Sequence, residues 1–309
     1  MIQAIVRRLG FMAATMLAAS VLLFLLFELL PGDVAVSALG AYATEEQRRV
    51  WLTLHGYDRG AAVRYLDWLW RFVTGDWGQS MLLRGNVAGI VAQRLGSTAI
   101  LAGCFFVVLV PLSLGLGVLA GMRERSVLDR VVSGVCIVTA SIPPFASTVL
   151  FSAVLVFGLH WLPGTSSGID GFSVAELVMP VLVLVLYDFG YVARITRTAM
   201  AEVMTAPYVR LAVLRGIPYH RVVLRHALRN ALVAPVTVLL LHVNWLVSGV
   251  IVVEYFFAYK GFGSLILEAS LGKDLFLVEA CTMVTVAIAV ASQSLSDMAY
   301  VWLNPRLRA

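Results

Sequence analysis

The chain has 309 residues, of which 60% are hydrophobic and 13% charged, and its formal net charge is +5. A soluble domain has about 45–50% apolar and about 25% charged residues, and it needs a wettable surface that this composition does not supply. The composition therefore excludes an ordinary soluble domain and indicates a protein that is buried in a lipid bilayer. The three cysteines lie inside apolar runs without metal-ligand spacing, so they predict neither a disulfide framework nor a metal site.

Six apolar runs are long enough to cross a bilayer, which takes roughly 20 residues of helix. They are Leu9–Leu30, Ser97–Ala120, Val131–Gly158, Ser173–Ala193, Ala231–Val253 and Ala280–Leu303. The first run is longer than the apolar core of a signal peptide, about 7–15 residues, so we interpret it as an uncleaved span. Pro143 and Pro144 predict a kink inside the third run. The sequence thus predicts an all-α integral membrane fold with six transmembrane helices.

The basic residues are distributed unevenly between the loops. If the N-terminus is inside, 14 of the 23 basic residues fall in cytoplasmic segments and meet only three acids. The external segments hold the other nine, spread over more positions and accompanied by about as many acids. Because cytoplasmic loops of membrane proteins are enriched in Lys and Arg, this asymmetry predicts that both termini are cytoplasmic. The net positive charge follows from that topology and does not indicate nucleic-acid binding.

Residues 31–96 form a hydrophilic segment that is predicted to be an external insertion between the first two spans. Within it, Ala62–Val73 places charged side chains on one face of a helix and apolar side chains on another. Such a helix suits the outer membrane surface, with Trp68, Trp70 and Trp77 at interfacial depth. There it either packs on the protein's own spans or docks a partner. Both alternatives stay open at the level of the sequence.

Residues 194–230 form a second hydrophilic segment, basic and predicted to be cytoplasmic. Pro207 and Gly216 bracket a short periodic stretch within it. Pro is favoured at the first position of a helix and Gly just past its end. This punctuation predicts a short helix at about Tyr208–Arg215.

From Tyr208 the chain reads YVRLAVLRGIPYHRVVLRHALRNALVAPVTV. This stretch resembles the cytoplasmic signature loop of ABC-transporter permeases, in the version of the dipeptide, oligopeptide and nickel importers. Gly216 takes the place of the signature glycine and Ala212 that of the second alanine, whereas Arg210 and Leu211 replace the first two residues of Glu-Ala-Ala. Further landmarks occur in the order of that family: Pro31-Gly32-Asp33, Thr74–Ser80, Ser141–Phe145, Val253-Glu254, Gly261–Gly263, Asp274 and Asn304–Arg308.

The resemblance implies a permease subunit of an ATP-driven importer, a single membrane domain over residues 1–309 in the bacterial inner membrane. Implied partners are a second homologous permease, two cytoplasmic ATPases, and a periplasmic or lipid-anchored binding protein that delivers the substrate. Short peptides are the implied substrates, with nickel or metal chelates, opine-like compounds and glutathione-like compounds as alternatives. The sequence has no Gly-x(4)-Gly-Lys-Ser/Thr phosphate loop. We therefore expect no enzyme activity and no cofactor in this chain, with ATP bound on partner subunits.

The resemblance and the local pattern together place the ATPase-coupling residues at Tyr208, Arg210, Leu211, Ala212, Arg215 and Gly216. In this interpretation Tyr208, Leu211 and the pair Val213-Leu214 supply apolar anchors, and the arginines supply charge-assisted contacts. The alternative is a basic loop held near anionic lipid headgroups.

Polar residues inside the predicted spans are the remaining candidates for function. His242 and Asn244 lie in the middle of the fifth span, where they either line a translocation path or hydrogen-bond between helices. Asp188 lies near the cytoplasmic end of the fourth span and is placed to pair with Arg194. A rival hypothesis is a proton-driven secondary transporter that uses Asp188 and His242, but it predicts inverted repeats, and none is evident. An intramembrane enzyme would need a catalytic pair at depth, and the sequence offers none.

Overall fold

The computed structural model of the chain describes residues 2–29, 34–40, 42–54, 56–167 and 173–303. These residues are almost wholly helical and include one short β-hairpin. The predicted landmarks Pro31-Gly32-Asp33 and Asn304–Arg308 lie outside the described residues, and so does the side chain of Asn244.

In its described residues, the N-terminal part of the chain contains five helices and the hairpin. They are α1 (Ile2–Leu29), α2 (Val34–Leu39), α3 (Glu45–Leu54), α4 (Ala61–Thr74), β1 (Gln79–Ser80), β2 (Gly85–Asn86) and α5 (Val87–Met122). The two strands pair antiparallel, with Gln79 opposite Asn86 and Ser80 opposite Gly85.

Over residues 123–167 and 173–303, the structure contains ten helices and two π-helical segments. They are α6 (Val127–Ser141), α7 (Pro144–Phe151) with the π-helical Ser152–Gly158, α8 (Val174–Met204), α9 (Pro207–Leu214), α10 (Tyr219–Arg221) with the π-helical Val222–Ala227, α11 (Leu228–Ala231), α12 (Val233–Gly249), α13 (Ile251–Phe256), α14 (Phe262–Leu271) and α15 (Leu275–Leu303).

Within the described residues, four helices are long and apolar enough to cross a membrane: Arg7–Phe27 of α1, α5, α8 and Leu275–Met298 of α15. Two further pairs of helices pass the same test together but are bent, Val127–Ser141 with Pro144–Gly158 and Tyr219–Ala231 with Val233–Val243. The structure therefore holds between four and six candidate spans, and each of them overlaps an apolar run of the sequence. The bent pair at 219–243 is shifted toward the N-terminus relative to the predicted run Ala231–Val253.

The predicted kink at Pro143-Pro144 is a complete break in the helix. α6 ends at Ser141, Pro143 is extended, and Pro144 is the first residue of α7. The two helical segments are bent by 100°. Proline lacks an N–H donor and its ring clashes with the preceding turn, so two in succession end one helix and start another.

Two helices extend well past the apolar runs that predicted them. α5 begins at Val87 instead of Ser97, and α8 continues to Met204 instead of stopping at Ala193. Hydropathy identifies only the part of a helix that is suited to lipid. The backbone hydrogen bonds of the helix continue through polar residues until a helix-breaking residue such as Pro207 follows. The first residues of the predicted loop 194–230 thus belong to α8.

The chain divides into two compact units, of which the first consists of Met1–Ser97 and Gly261–Ala291. Asp274 ties the hairpin of this unit to α15. Its carboxylate accepts hydrogen bonds from Ser80 Oγ (2.6 Å) and from the backbone N of Leu82 (3.0 Å). It also accepts from the backbone N of Leu277 (3.2 Å) and so caps the start of α15.

The second unit consists of Thr98–Lys260 and Ser292–Ala309. Its main core is a cluster of apolar side chains from α5, α6, α8, α12 and α13, centred on the buried Phe105, Leu184 and Phe257. A second, smaller cluster lies under the short helix α9. That smaller cluster supports α9, which contains the candidate functional site.

Candidate functional site

The short helix α9 begins and ends as its sequence predicts. Pro207 occupies the first helical position, where a missing N–H costs nothing. At the other end, Gly216 has a φ of 72°, in the left-handed region. The backbone N of Gly216 donates to Val213 O (2.9 Å) and that of Ile217 to Ala212 O (3.3 Å). This pair of bonds is a Schellman motif, which uses the left-handed glycine to end the helix abruptly.

α9 has one face buried in the protein and one face exposed. Val209 and Ala212 are buried, one helical turn apart. Tyr208, Leu211 and Leu214 are exposed, and Leu214 reaches 84%. An exposed apolar stripe this close to the helix end is a feature that a soluble partner could cover.

The predicted coupling residues divide between these two faces. Tyr208, Arg210, Leu211, Arg215 and Gly216 are exposed, as a contact surface requires. Ala212 is 6% exposed and packs inward, so it helps to hold the helix on the protein and is not part of the outer surface of the helix. A side-chain period of 3.6 puts Ala212 on the same face as Val209, and that periodicity is the signal that separates it from the others.

The buried face of α9 rests on an apolar cluster that joins several elements of the second unit. The cluster contains the buried residues Met200, Val209, Ala212, Val222, Val223, Ala227 and Ala231, with Val118, Met122, Val203, Met204, Ala206 and Ile217 packed against it. A polar bond adds to this support, since Asn230 Nδ2 donates to the hydroxyl of Tyr208 (2.9 Å). Asn230 belongs to the Arg225–Leu232 stretch of the signature and was not among the predicted site residues.

The charged residues of α9 and of the segment that follows it, as far as Glu254, are all basic. Arg210, Arg215, Arg221, Arg225 and Arg229 are all exposed. No Asp or Glu occurs in the sequence between Glu202 and Glu254, so no acid of this stretch neutralises them. Apolar anchors ringed by arginines are suited to a groove with an apolar floor and an acidic rim.

His242 on α12 bonds to Asp188 on α8. Its Nε2 lies 3.1 Å from Asp188 Oδ1, and its Nδ1 lies 2.8 Å from the carbonyl oxygen of Val238. Both ring nitrogens thus lie at hydrogen-bond distance from oxygen atoms, one on α8 and one on the preceding turn of α12. The expected pair of Asp188 with Arg194 is replaced by this interhelical bond, and Arg194 is exposed.

The amphipathic helix predicted in the external segment is α4. Its Tyr65 ring meets Phe24 of α1, and Trp68 Nε1 donates to Glu279 Oε2 of α15 at 3.0 Å. This face packs on the protein's own helices, as one of the two alternatives requires. The opposite stripe of Val63, Leu66, Trp70 and Val73 is exposed.

Comparison with known proteins agrees with the signature around α9. Residues 113–309 match the family described as "Binding-protein-dependent transport system inner membrane component", and residues 1–102 match the N-terminal region of such membrane components. A peptide transport system permease protein of Brucella abortus is 34% identical over 98% of both chains. The dipeptide transport system permease protein DppB of Escherichia coli is 28% identical over 100% of this chain and 99% of DppB. The oligopeptide transport system permease protein AppB of Bacillus subtilis is 27% identical over 98% of both chains.

These matches span the whole chain and decide its class. Such a component is a permease and not an enzyme, and the ATP that drives it is hydrolysed on separate subunits. This class also argues against the proton-driven secondary transporter and the intramembrane enzyme. The chain belongs to the family of inner membrane components of binding-protein-dependent transport systems.

Proposed function

We propose that this chain is the permease subunit of an importer for short peptides and that α9 is the helix that docks on the ATPase. The observation that carries the proposal is the exposed, basic and partly apolar face of α9, held on a buried cluster and ended by Gly216. The peptide substrate is supported by the relatives in Brucella, Escherichia and Bacillus, each of which is named for peptide transport.

The proposal includes six spans, with each bent helix pair counted as one span, and both termini in the cytoplasm. The excess of arginine in the segments that would then face the cytoplasm supports this orientation. It places α9 on the cytoplasmic side, where ATP is available, and residues 31–96 on the outside, where a binding protein would deliver the substrate.

The proposed assembly contains a second, homologous permease and two ATPase subunits. One α9 presents one coupling face, so two ATPases require a second permease that brings its own. The substrate itself is selected first by the binding protein, and this chain supplies the path through the membrane.

The proposal also keeps His242 and Asn244 on the translocation path. The side chain of His242 retains 12% exposure, and its ring centroid lies 6.0 Å from that of Tyr191 and 6.3 Å from that of Trp245. Because both ring nitrogens are bonded within the protein, the exposed part of this aromatic group would contact a passing peptide through its carbon atoms.

The docking role of α9 is tested by changing its outer face alone. Leu214→Asp places a charge at the most exposed apolar position of α9, and Asp should be repelled by an acidic groove. Loss of an interface anchor costs about 2 kcal/mol or more, which is roughly a 30-fold loss of affinity. We expect normal amounts of the variant in the membrane, little co-purified ATPase, and loss of labelled dipeptide uptake.

Leu54→Asp is the matched control. Leu54 is also a leucine at a helix end and is 77% exposed, but it belongs to the segment proposed to be external. This control should retain ATPase co-purification at the level of the parent. If Leu214→Asp also retains it, α9 does not dock on the ATPase. If the intact assembly takes up no dipeptide with a loaded binding protein, peptides are not the substrate.

A further inference from the structure

The buried carboxylate of Asp129 organises the turn between α5 and α6. Ser126 caps α6 by accepting a hydrogen bond from the backbone N of Asp129 (3.2 Å). One carboxylate oxygen of Asp129 accepts from the backbone N of Arg125 (2.8 Å), and Arg125 has a left-handed φ of 65°. The side chain of Asp129 therefore holds the turn in the shape that starts α6.

The same carboxylate accepts two hydrogen bonds from the guanidinium group of Arg197 on α8. Arg197 Nε donates to Asp129 Oδ1 at 2.8 Å, and Nη2 donates to Oδ2 at 2.7 Å. Glu124 lies at 3.8 Å from the same Nη2 and adds a weaker attraction. A bidentate pair of this kind sets both the distance and the orientation of the two groups. It therefore fixes the register between the start of α6 and α8.

Glycines bring α8 unusually close to both α5 and α6. A Cβ at Gly117 would lie 2.6 Å from Thr196 Cβ, and one at Gly121 would lie 2.5 Å from Arg197 O. On the other side, a Cβ at Gly190 would collide with Cys136 O of α6. Interiors packed this closely move as units and do not deform continuously.

The link from α8 to α9 is short and hydrogen-bonded. Only Thr205 and Ala206 separate the two helices. The backbone N of Ala206 donates to Val203 O (3.0 Å), and that of Arg210 donates to Ala206 O (3.2 Å). Arg197 lies seven residues before the end of α8, about 10 Å along the helix axis. Because this connection is short, we expect a displacement of α9 to move the C-terminal part of α8, which carries Arg197.

We propose that Arg197 and Asp129 are positioning residues that make α6 move together with α8 and α9 when the ATPase changes state. The proposal rests on the docking role of α9 stated above. Close packing at Gly190 holds α6 against α8, and the fork of Arg197 adds a directional contact between the start of α6 and α8 that allows one register only. Through α6, the displacement reaches the break at Pro143, where the path of the helix turns by 100°.

The test measures how many peptides are imported for each ATP hydrolysed by the complete assembly in proteoliposomes. Arg197→Gln removes the charge and the fork. Asp129→Asn keeps the shape of the side chain and still accepts from the backbone N of Arg125, so it is the variant expected to fold best. For both variants we expect parental co-purification of the ATPase, basal ATP hydrolysis within about twofold, and at least a fivefold lower number of peptides per ATP. Arg197→Lys keeps the charge without the fork, and it should recover part of this loss.

Arg194→Gln is the matched control, because it makes the same substitution at an exposed position of α8 about one turn away. It should leave the number of peptides per ATP unchanged. A pair that serves stability alone would lower the amount of assembly and leave that ratio at the parental value, and this result in either variant overturns the proposal. The docking role of α9 fails instead if Leu214→Asp retains the ATPase, and that result does not depend on the number of peptides per ATP, so the two failures are distinguishable.

Discussion

Substitutions at Gly216 give the sharpest test of how α9 works. The backbone conformation at this position and the space around it restrict a side chain independently of each other. Its φ of 72° is reached at little cost by glycine, whereas another L-residue there loses roughly 1–2 kcal/mol. Apart from its chain neighbours, no described residue has an atom within 4 Å of a Cβ at this position, so the methyl group of alanine meets no clash there. The intrinsic cost of Gly216→Ala is therefore that of the backbone conformation, about a 5- to 30-fold shift in the helix-end equilibrium.

Three substitutions at Gly216 separate the cost of the backbone conformation from the cost of contact with a partner. Gly216→Asn should be mild, since Asn tolerates the left-handed region better than other side chains. Gly216→Ala should show the backbone cost with almost no added bulk. Gly216→Trp has the same backbone cost, and if the ATPase approaches closely it also has an overpacking cost of typically 1–3 kcal/mol. We expect ATPase co-purification and dipeptide uptake to fall in the order Gly, Asn, Ala, Trp.

The assay compares the tagged permease in the membrane, the ATPase that co-purifies with it, and the uptake of a labelled dipeptide. Gly75→Trp is the control, because Gly75 also ends a helix with a left-handed φ of 83° and open space around its Cβ, but at α4. It should not change ATPase recruitment. If Gly216→Trp and Gly216→Ala behave alike, only backbone strain matters and no partner approaches Gly216. If Gly216→Trp equals the parent, the proposed role of α9 in coupling is refuted.

Three further predictions address the proposed topology, the proposed translocation path and the hairpin of the first unit. An impermeant thiol reagent added outside should label a Gly60→Cys variant and not a His220→Cys variant, after replacement of Cys104, Cys136 and Cys281, and the reverse pattern would invert the proposed orientation. His242→Ala should lower dipeptide uptake while ATPase co-purification stays at the parental level, whereas unchanged uptake would remove His242 from the path. Asp274→Ala removes the cap of α15, worth about 1 kcal/mol, and leaves Ser80 Oγ without its acceptor. Limited proteolysis should then cut the segment 75–90 faster than in the parent, and an unchanged rate would contradict this role of Asp274.

Local features of the fold could be read from the chain because their causes are local. The ends of α9 follow from Pro207, which needs no N–H at the first helical position, and from Gly216, which tolerates a left-handed φ. The positions of the spans follow from apolar runs that only a bilayer can accommodate. The resemblance that identifies the transport class can also be read from the chain, since each of its landmarks, from Pro31 to Arg308, is a short run of neighbouring residues.

Boundaries were less predictable, because hydropathy and helix formation are different properties. α8 continues to Met204 although its apolar run stops at Ala193, since polar residues keep the hydrogen-bond ladder intact. The proline pair Pro143-Pro144 indicated a kink, but the angle of 100° depends on what packs around the two segments.

The partners of the buried polar groups were decided by tertiary structure alone. Asp188 bonds to His242, 54 residues away, and not to the nearby Arg194, while Asp129 bonds to Arg197, 68 residues away. Periodicity shows which face of a helix is buried, but it carries no information about which neighbour that face meets. A buried carboxylate needs a donor at hydrogen-bond distance, and the packing of α6, α8 and α12 determines which donor comes within reach.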